Sequence, residues 1–142
     1  MVVPNFVRQA VADEPVVVFG DGRQTRAFCD VRDTVRALAL LLDTPAAYGQ
    51  IVNVGHDQEV TIEALAQLII ERAGSASQIR HKTYAEAYGQ DFQDIGHRAP
   101  DLGLLRRLTG FTHDWTLART LDDLIARERE RNQAQSLSQE SV

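Results

Sequence analysis

Apolar residues recur along the chain at helical spacing in some stretches and as short continuous runs in others. Phe6, Val7, Ala10 and Val11 share one face at i, i+1, i+4 and i+5, which predicts a helix over Pro4–Glu14. Pro4 suits a first helical turn and Pro15 ends the helix. Val16-Val17-Val18-Phe19 is a run of strand formers. Gly20-Asp21-Gly22 then supplies a turn and Arg23 to Phe28 a second strand. The next helix begins at Asp30 or Arg32 and runs to about Asp43, with Asp30 and Asp33 as cap or first-turn anions and Pro45 as the stop. Its second half, Val35 to Leu42, is apolar almost all round, so it needs cover on more than one side.

Gln50-Ile51-Val52-Asn53-Val54-Gly55 has the same property. A short β-branched run ended by glycine reads as a strand buried on both faces of a parallel sheet, and the chain offers few strands to pair with it. Thr61 caps a helix over Ile62–Ala73 with Ile62, Leu65, Ala66, Ile69 and Ile70 inward and Gly74 as its stop. Gln78 to Lys82 reads as a short strand and Tyr84 to Gly96 as loop or broken helix. A helix opens at Pro100-Asp101, runs through Leu108 and closes at Gly110. Thr116 caps the last one, with Leu117, Leu121, Leu124 and Ile125 inward. From Glu128 the composition turns to Arg, Glu, Gln and Ser, so residues 128–142 are expected to be a polar, disordered tail.

These patterns, over 142 residues, describe one α/β domain. The net charge of −5 argues against a nucleic-acid partner, though a phosphate ligand needs only a local basic cluster. Cys29 is the only cysteine, so no intramolecular disulfide can form. The opening residues lack a secretory signal pattern, and the longest apolar run, Ala37 to Leu42, is far short of the ~20 residues that span a bilayer. The expectation is a cytoplasmic protein with no membrane partner.

His56, His81, His97 and His113 are never in metal-ligand spacing, so no metal site is expected. No local pattern supports a Cys29–His pair, and Arg106-Arg107 and Asp122-Asp123 read as solvated helix faces. Arg26 and Arg98 each follow a turn-like segment, and two arginines from distant places can meet on one pyrophosphate. The Gly20–Gly22 turn leaves backbone N–H groups for an anion, with Arg23 nearby. The alternative for that stretch is an ordinary hairpin with solvated arginines.

Four separated motifs carry a resemblance. They are Val-Pro-x-Phe-Val-x-Gln-Ala (Val3 to Ala10) running into Glu14-Pro15-Val-Val-Val-Phe-Gly-Asp-Gly-Arg-Gln-Thr-Arg-Ala-Phe28; Asn53-Val54-Gly55 with Thr61-Ile-Glu-Ala-Leu-Ala66; Arg98-Ala99-Pro100-Asp101; and Leu108-Thr109-Gly110-Phe111 before a Leu-rich helix. Over residues 1–127 the chain resembles the C-terminal part of the NAD-dependent epimerase/dehydratase family, the extended short-chain dehydrogenase/reductases. UDP-glucose 4-epimerases and UDP-glucuronate decarboxylases are its nearest look-alikes. The resemblance implies a nucleotide-sugar ligand, with Phe19 lining the base pocket, Arg26 on the pyrophosphate with Gln24 close by, and Arg98 approaching the nucleotide from the other side. Asp30 departs from the family, which more often has His or Tyr there.

The family also uses NAD, held by a Gly-x-x-Gly-x-x-Gly loop, and a Tyr-x-x-x-Lys pair. The sequence contains neither; the residues four past Tyr48, Tyr84 and Tyr88 are Val52, Tyr88 and Phe92, and Lys82 is the only lysine. No cofactor-binding or catalytic residue is therefore assigned. In the family, the elements matching Asp33–Asp43 and Ile51–Val54 pack on the cofactor domain's sheet. The expectation is the substrate-binding portion of such an enzyme, truncated or split from its Rossmann half and inactive alone. It would associate with a separately encoded Rossmann half or with itself. The alternatives are a non-catalytic assembly module and a non-functional remnant.

Overall fold

The computed structural model describes residues 1–83 and 96–139. Its elements run α1 (Val2–Val11), β1 (Val16–Phe19), β2 (Thr25–Ala27), α2 (Val31–Leu42), a short 3-10 turn (Pro45–Ala47), β3 (Glu59–Thr61), α3 (Ile62–Ala73), β4 (Ile79–Lys82), α4 (Gly103–Thr109) and α5 (Leu117–Gln139). The expected loop or broken helix at 84–95 lies outside the described residues.

The stretch from Val16 to Phe28 is two strands, as its composition predicts, but they do not form a hairpin. β1 pairs in parallel with β4, Val16 opposite Ile79, while β2 pairs antiparallel with β3, Arg26 opposite Val60. Gly20 and Gly22, at φ 74° and 71°, send the chain from one sheet to the other rather than back on itself. The other edge of β1 is partly blocked by Gln9, whose side-chain oxygen accepts from Val17 N–H at 3.2 Å.

Helix ends follow their caps. Asp30 accepts from Arg32 N–H at 2.9 Å, Thr61 from Ala64 N–H at 3.1 Å and Thr116 from Arg119 N–H at 3.2 Å. Gly74 and Gly110 close α3 and α4 in the left-handed conformation. The first helix starts two residues before Pro4 and stops at Val11, because Asp13 turns left-handed at φ 54° ahead of Pro15. Residues 128–139, expected as a polar tail, continue α5 as helix. Arg129 fastens this stretch to Ala73 C=O at 2.6 Å.

Two clusters form the core. The larger joins Phe6, Val7 and Ala10 of α1, Val16 and Val18 of β1, Leu65, Ala66 and Ile69 of α3, and Leu121 and Ile125 of α5. The smaller joins Ala37 of α2, Leu105 of α4 and Phe111, with Val52 and Val54 against it. Ile51–Val54, expected as a buried parallel strand, pairs with nothing among the described residues, and Ile51 is 94% exposed. A strand needs a neighbour to close its ladder, and β1 has already taken β4. On α2, Val31, Val35, Leu38 and Leu42 also face outward. The apolar excess read in the sequence is therefore an uncovered surface.

Two carboxylates at the start of α2 join the clusters. Asp33, 1% exposed, accepts from Arg36 at 2.8 Å and from the N–H groups of Asp114 and Trp115 at 3.1 and 3.0 Å. Burial pushes its pKa up, but those donors outweigh burial and hold it below the ordinary carboxylate value. Asp30 accepts from Arg32 at 2.8 Å and from Thr120 of α5 at 2.7 Å. The Arg32 hydrogen bonds keep it well below the usual carboxylate range against the cost of burial. Trp115 lies between the guanidinium groups of Arg32 and Arg119, 3.3 and 3.7 Å from its ring centre.

Asp33→Ala leaves two backbone N–H groups without their acceptor and removes one of Arg36's partners, while Arg36 keeps Asp114 and Thr112 C=O. Urea unfolding is expected to show a loss of about 3–5 kcal/mol, and a smaller one for Asp33→Asn, whose amide oxygen still accepts.

Acid is expected to unfold the protein in two stages. His56 is held below its ordinary value by burial and by His113, and its Nδ1 accepts from Gln58 N–H at 3.0 Å. The unfolded chain therefore binds the proton first, and stability falls as pH drops below about 6.5. Asp30 and Asp33 have lowered values when folded, so their contribution is present above about 4 and lost below it. In a urea–pH series, His56→Gln is expected to remove the first stage and leave the second.

Candidate functional site

The turn after β1 is held from three sides. Gly20 donates its N–H to Lys82 C=O at 2.8 Å, and Gly20 C=O faces His81 Nδ1 at 3.0 Å. From the first turn of α3, Glu63 N–H donates to Gly22 C=O at 3.0 Å and Ile62 N–H to Gln24 C=O at 3.1 Å. Arg23 N–H donates to the Asp21 side chain at 3.0 Å. The turn thus uses at least two of its own N–H groups internally.

Its second glycine is also covered. A Cβ built on buried Gly22 would sit 2.9 Å from Glu63 Oε2, so a carboxylate stands where an anion cradle would need to be open. His81 Nε2 lies 3.3 Å from that same oxygen. The open amide cradle expected at Gly22 is therefore corrected: the Glu63 side chain lies against that glycine. The turn likewise does not fit the pyrophosphate of a dinucleotide.

Phe19 ends β1, half-buried, and its carbonyl accepts from Gln24 Nε2 at 3.0 Å, which folds Gln24 back toward it. Arg26 is half-buried on β2 and donates from Nη1 to Thr25 C=O at 2.7 Å. Exposed Arg23 lies beside the turn, and β4 places Arg80, His81 and Lys82 on an exposed surface. These basic groups lie among the carboxylates of Asp21, Glu59 and Glu63.

Arg98, 72 residues after Arg26, lies two residues past a backbone link to β2. Thr25 N–H donates to Gly96 C=O at 2.8 Å, which lays residues 96–98 beside β2. Beyond Arg98 the chain is fastened again, as Asn53 Nδ2 donates to Asp101 C=O at 3.2 Å and Gly55 packs under Pro100. His113 meets Gly55 C=O at 2.7 Å and stacks on His56 at 4.0 Å, and Arg106 pairs with Asp57 at 2.8 Å. That ion pair's hydrogen bond holds Asp57 below the ordinary carboxylate value. Exposed Arg98 stands on a short bridge anchored at both ends.

The structure thus brings the segments of Phe19, Gln24, Arg26 and Arg98 to one end of the two small sheets. Sequence reasoning missed the supporting residues Glu59, Glu63, His81 and His97. Glu63 had one visible signal, its place in the first turn of a capped helix. The others depend on pairings between strands far apart in sequence.

Residues 1–55 match the NAD dependent epimerase/dehydratase family. The chain is 36% identical over 110 residues to the UDP-N-acetyl-alpha-D-glucosaminuronate decarboxylase of Bacillus cytotoxicus, a match that covers 78% of this chain and 34% of that protein. It is 32% identical over 133 residues to UDP-glucuronic acid decarboxylase 4 of Arabidopsis thaliana, covering 92% of this chain and 28% of that protein. The chain therefore spans about a third or less of the curated relatives it matches. Its fold matches the UDP-glucose 4-epimerase of Thermotoga maritima, solved with UDP-glucose, at a TM-score of 0.81 and 23% identity, over 92% of this chain and 40% of that one. It also matches the UDP-glucuronic acid 4-epimerase of Bacillus cereus, solved with UDP-glucuronic acid and NAD, at a TM-score of 0.79 and 19% identity, over 92% and 40%. The strand-and-turn motif, the two arginine segments and these matches together place the chain in the NAD-dependent epimerase/dehydratase family.

Proposed function

We propose that residues 1–127 are the nucleotide-sugar-binding, C-terminal portion of an NAD-dependent epimerase, dehydratase or decarboxylase, with a UDP-sugar as ligand. One observation supports the reading: the Thr25 N–H to Gly96 C=O hydrogen bond joins the strand that carries Arg26 to the segment that carries Arg98 two residues on. In this reading Arg26 and Arg98 hold the diphosphate, Phe19 lines the base and Gln24 supports it from the turn. Each charge-assisted contact contributes on the order of 1.5–3 kcal/mol, so two contacts and a stacked base suffice for a sub-millimolar ligand.

The binding portion performs no chemistry in this proposal. NAD and the Tyr-x-x-x-Lys pair belong to a Rossmann half outside these 142 residues, which bind and orient the sugar nucleotide. The uncovered face of α2 supports that division. Val31, Val35, Leu38 and Leu42 face outward, and a groove of about 430 Å³ lined by Leu38, Leu41, Leu42, Tyr48 and Val52 runs beside the unpaired Ile51–Val54 segment. An apolar helix next to an apolar segment outside either sheet suits the edge of a parallel sheet. The same surface favours a second reading, a non-catalytic module whose role is assembly.

Isothermal titration with UDP separates the two. Arg26→Ala and Arg98→Ala are each expected to weaken UDP binding by about 10- to 100-fold and to change uridine binding little, since uridine has no phosphate. Unchanged UDP affinity in both variants rejects the diphosphate site and leaves the assembly reading.

A further inference from the structure

Arg98 is exposed and sits on a loop, yet a diphosphate clamp requires its two arginines at a fixed separation. The Thr25–Gly96 backbone bond and the Asn53–Asp101 and Gly55–Pro100 contacts hold the two ends of the segment, with His97 and Arg98 between them. A side-chain contact ties down this middle part. The Thr25 hydroxyl lies 2.9 Å from His97 Nδ1 and also hydrogen-bonds the Glu59 carboxylate. His97 Nδ1 is 3.8 Å from the same Glu59 oxygen, so the three side chains form one cluster.

The donors and acceptors fix the direction of this chain. A threonine hydroxyl has one proton, and an ionised carboxylate only accepts. The hydroxyl therefore donates to Glu59, and its lone pair accepts from His97, which must carry its proton on Nδ1. Each bond polarises the next. Three elements meet here: β2 through Thr25, β3 through Glu59, and the 96–98 segment through His97. Thr25 and His97 are the immediate neighbours of Arg26 and Arg98.

We infer that Thr25, Glu59 and His97 form a latch that positions Arg98 beside Arg26. The inference rests on the reading that these two arginines hold the diphosphate. Thr25, Glu59 and His97 are positioning residues and touch no ligand. Their contribution to binding passes through Arg98.

A double-mutant cycle read by UDP titration on the full chain tests this. Thr25→Val keeps the strand-forming shape and the backbone N–H but loses the hydroxyl. It and His97→Ala are each expected to raise the UDP Kd about three- to tenfold, while Thr25→Ser, which keeps the hydroxyl, stays near the parent value. In an Arg98→Ala background neither is expected to cause a further loss. A ligand-free readout accompanies the titration, with the Thr25 amide expected to exchange faster in His97→Ala and Glu59→Ala. A full additional loss in the Arg98→Ala background overturns the inference, because the cluster would then act elsewhere. So does an unchanged Kd in Thr25→Val while Arg98→Ala loses affinity, or unchanged Thr25 exchange. If Arg26→Ala and Arg98→Ala themselves leave the Kd unchanged, the diphosphate reading fails, and the latch loses its role in binding whatever the exchange shows.

Discussion

Asp33 is the point on which this fold turns. A carboxylate 1% exposed is costly unless every acceptor site is used, and here it takes donors from its own helix and from the chain entering α5. Asp30, one turn earlier, does the same through Arg32 and Thr120. The apolar contacts of the two clusters are local, whereas these polar contacts cross between them. With α2 anchored on the start of α5, the smaller cluster of Ala37, Leu105 and Phe111 has a fixed place beside the larger one. The Asn53–Asp101 and Gly55–Pro100 contacts then hold the bridge that carries Arg98.

The same anchoring presents an apolar stripe outward. Val31, Val35, Leu38 and Leu42 repeat at helical spacing on the face of α2 away from the cluster, and Ile51 lies almost fully exposed next to it. Apolar surface of this kind is stable in water only at a cost, and a covering layer would remove that cost. The end formed by β2, β4 and the 96–98 segment is polar instead, with Arg23, Arg26, Arg80 and Lys82 set among Asp21, Glu59 and Glu63.

Much of this was legible in the chain, because local rules settle it. Thr61, Asp30 and Thr116 cap helices as their side chains dictate, and Gly74 and Gly110 end them. The excess of apolar residues on α2 and at Ile51–Val54 was visible too, since periodicity exposes a helix with no polar face. Pairing was not legible. Nothing in Val16–Phe28 shows that β1 would take β4 and leave β2 for β3, as both choices satisfy the same local preferences and long-range packing decides between them. The continuation of α5 through Gln139 was hidden by its polar composition, which describes a solvated helix as well as it describes a tail. Motifs singled out Arg26 and Arg98, whose segments the Thr25–Gly96 bond joins. Glu63 against Gly22 and the Thr25–Glu59–His97 cluster were not legible, because each joins residues more than thirty positions apart.

The central claim is that the nucleotide diphosphate binds where β2 meets the 96–98 segment. An amide-resolved NMR titration of the ¹⁵N-labelled chain with UDP tests it most directly. The account predicts saturable shifts concentrated in residues 19–26 and 96–98, with the outward face of α2 unmoved. Shifts absent at millimolar UDP, or confined to Phe28, His56, Leu68 and Leu117 around the cavity of about 320 Å³ that Glu59 also lines, would contradict it.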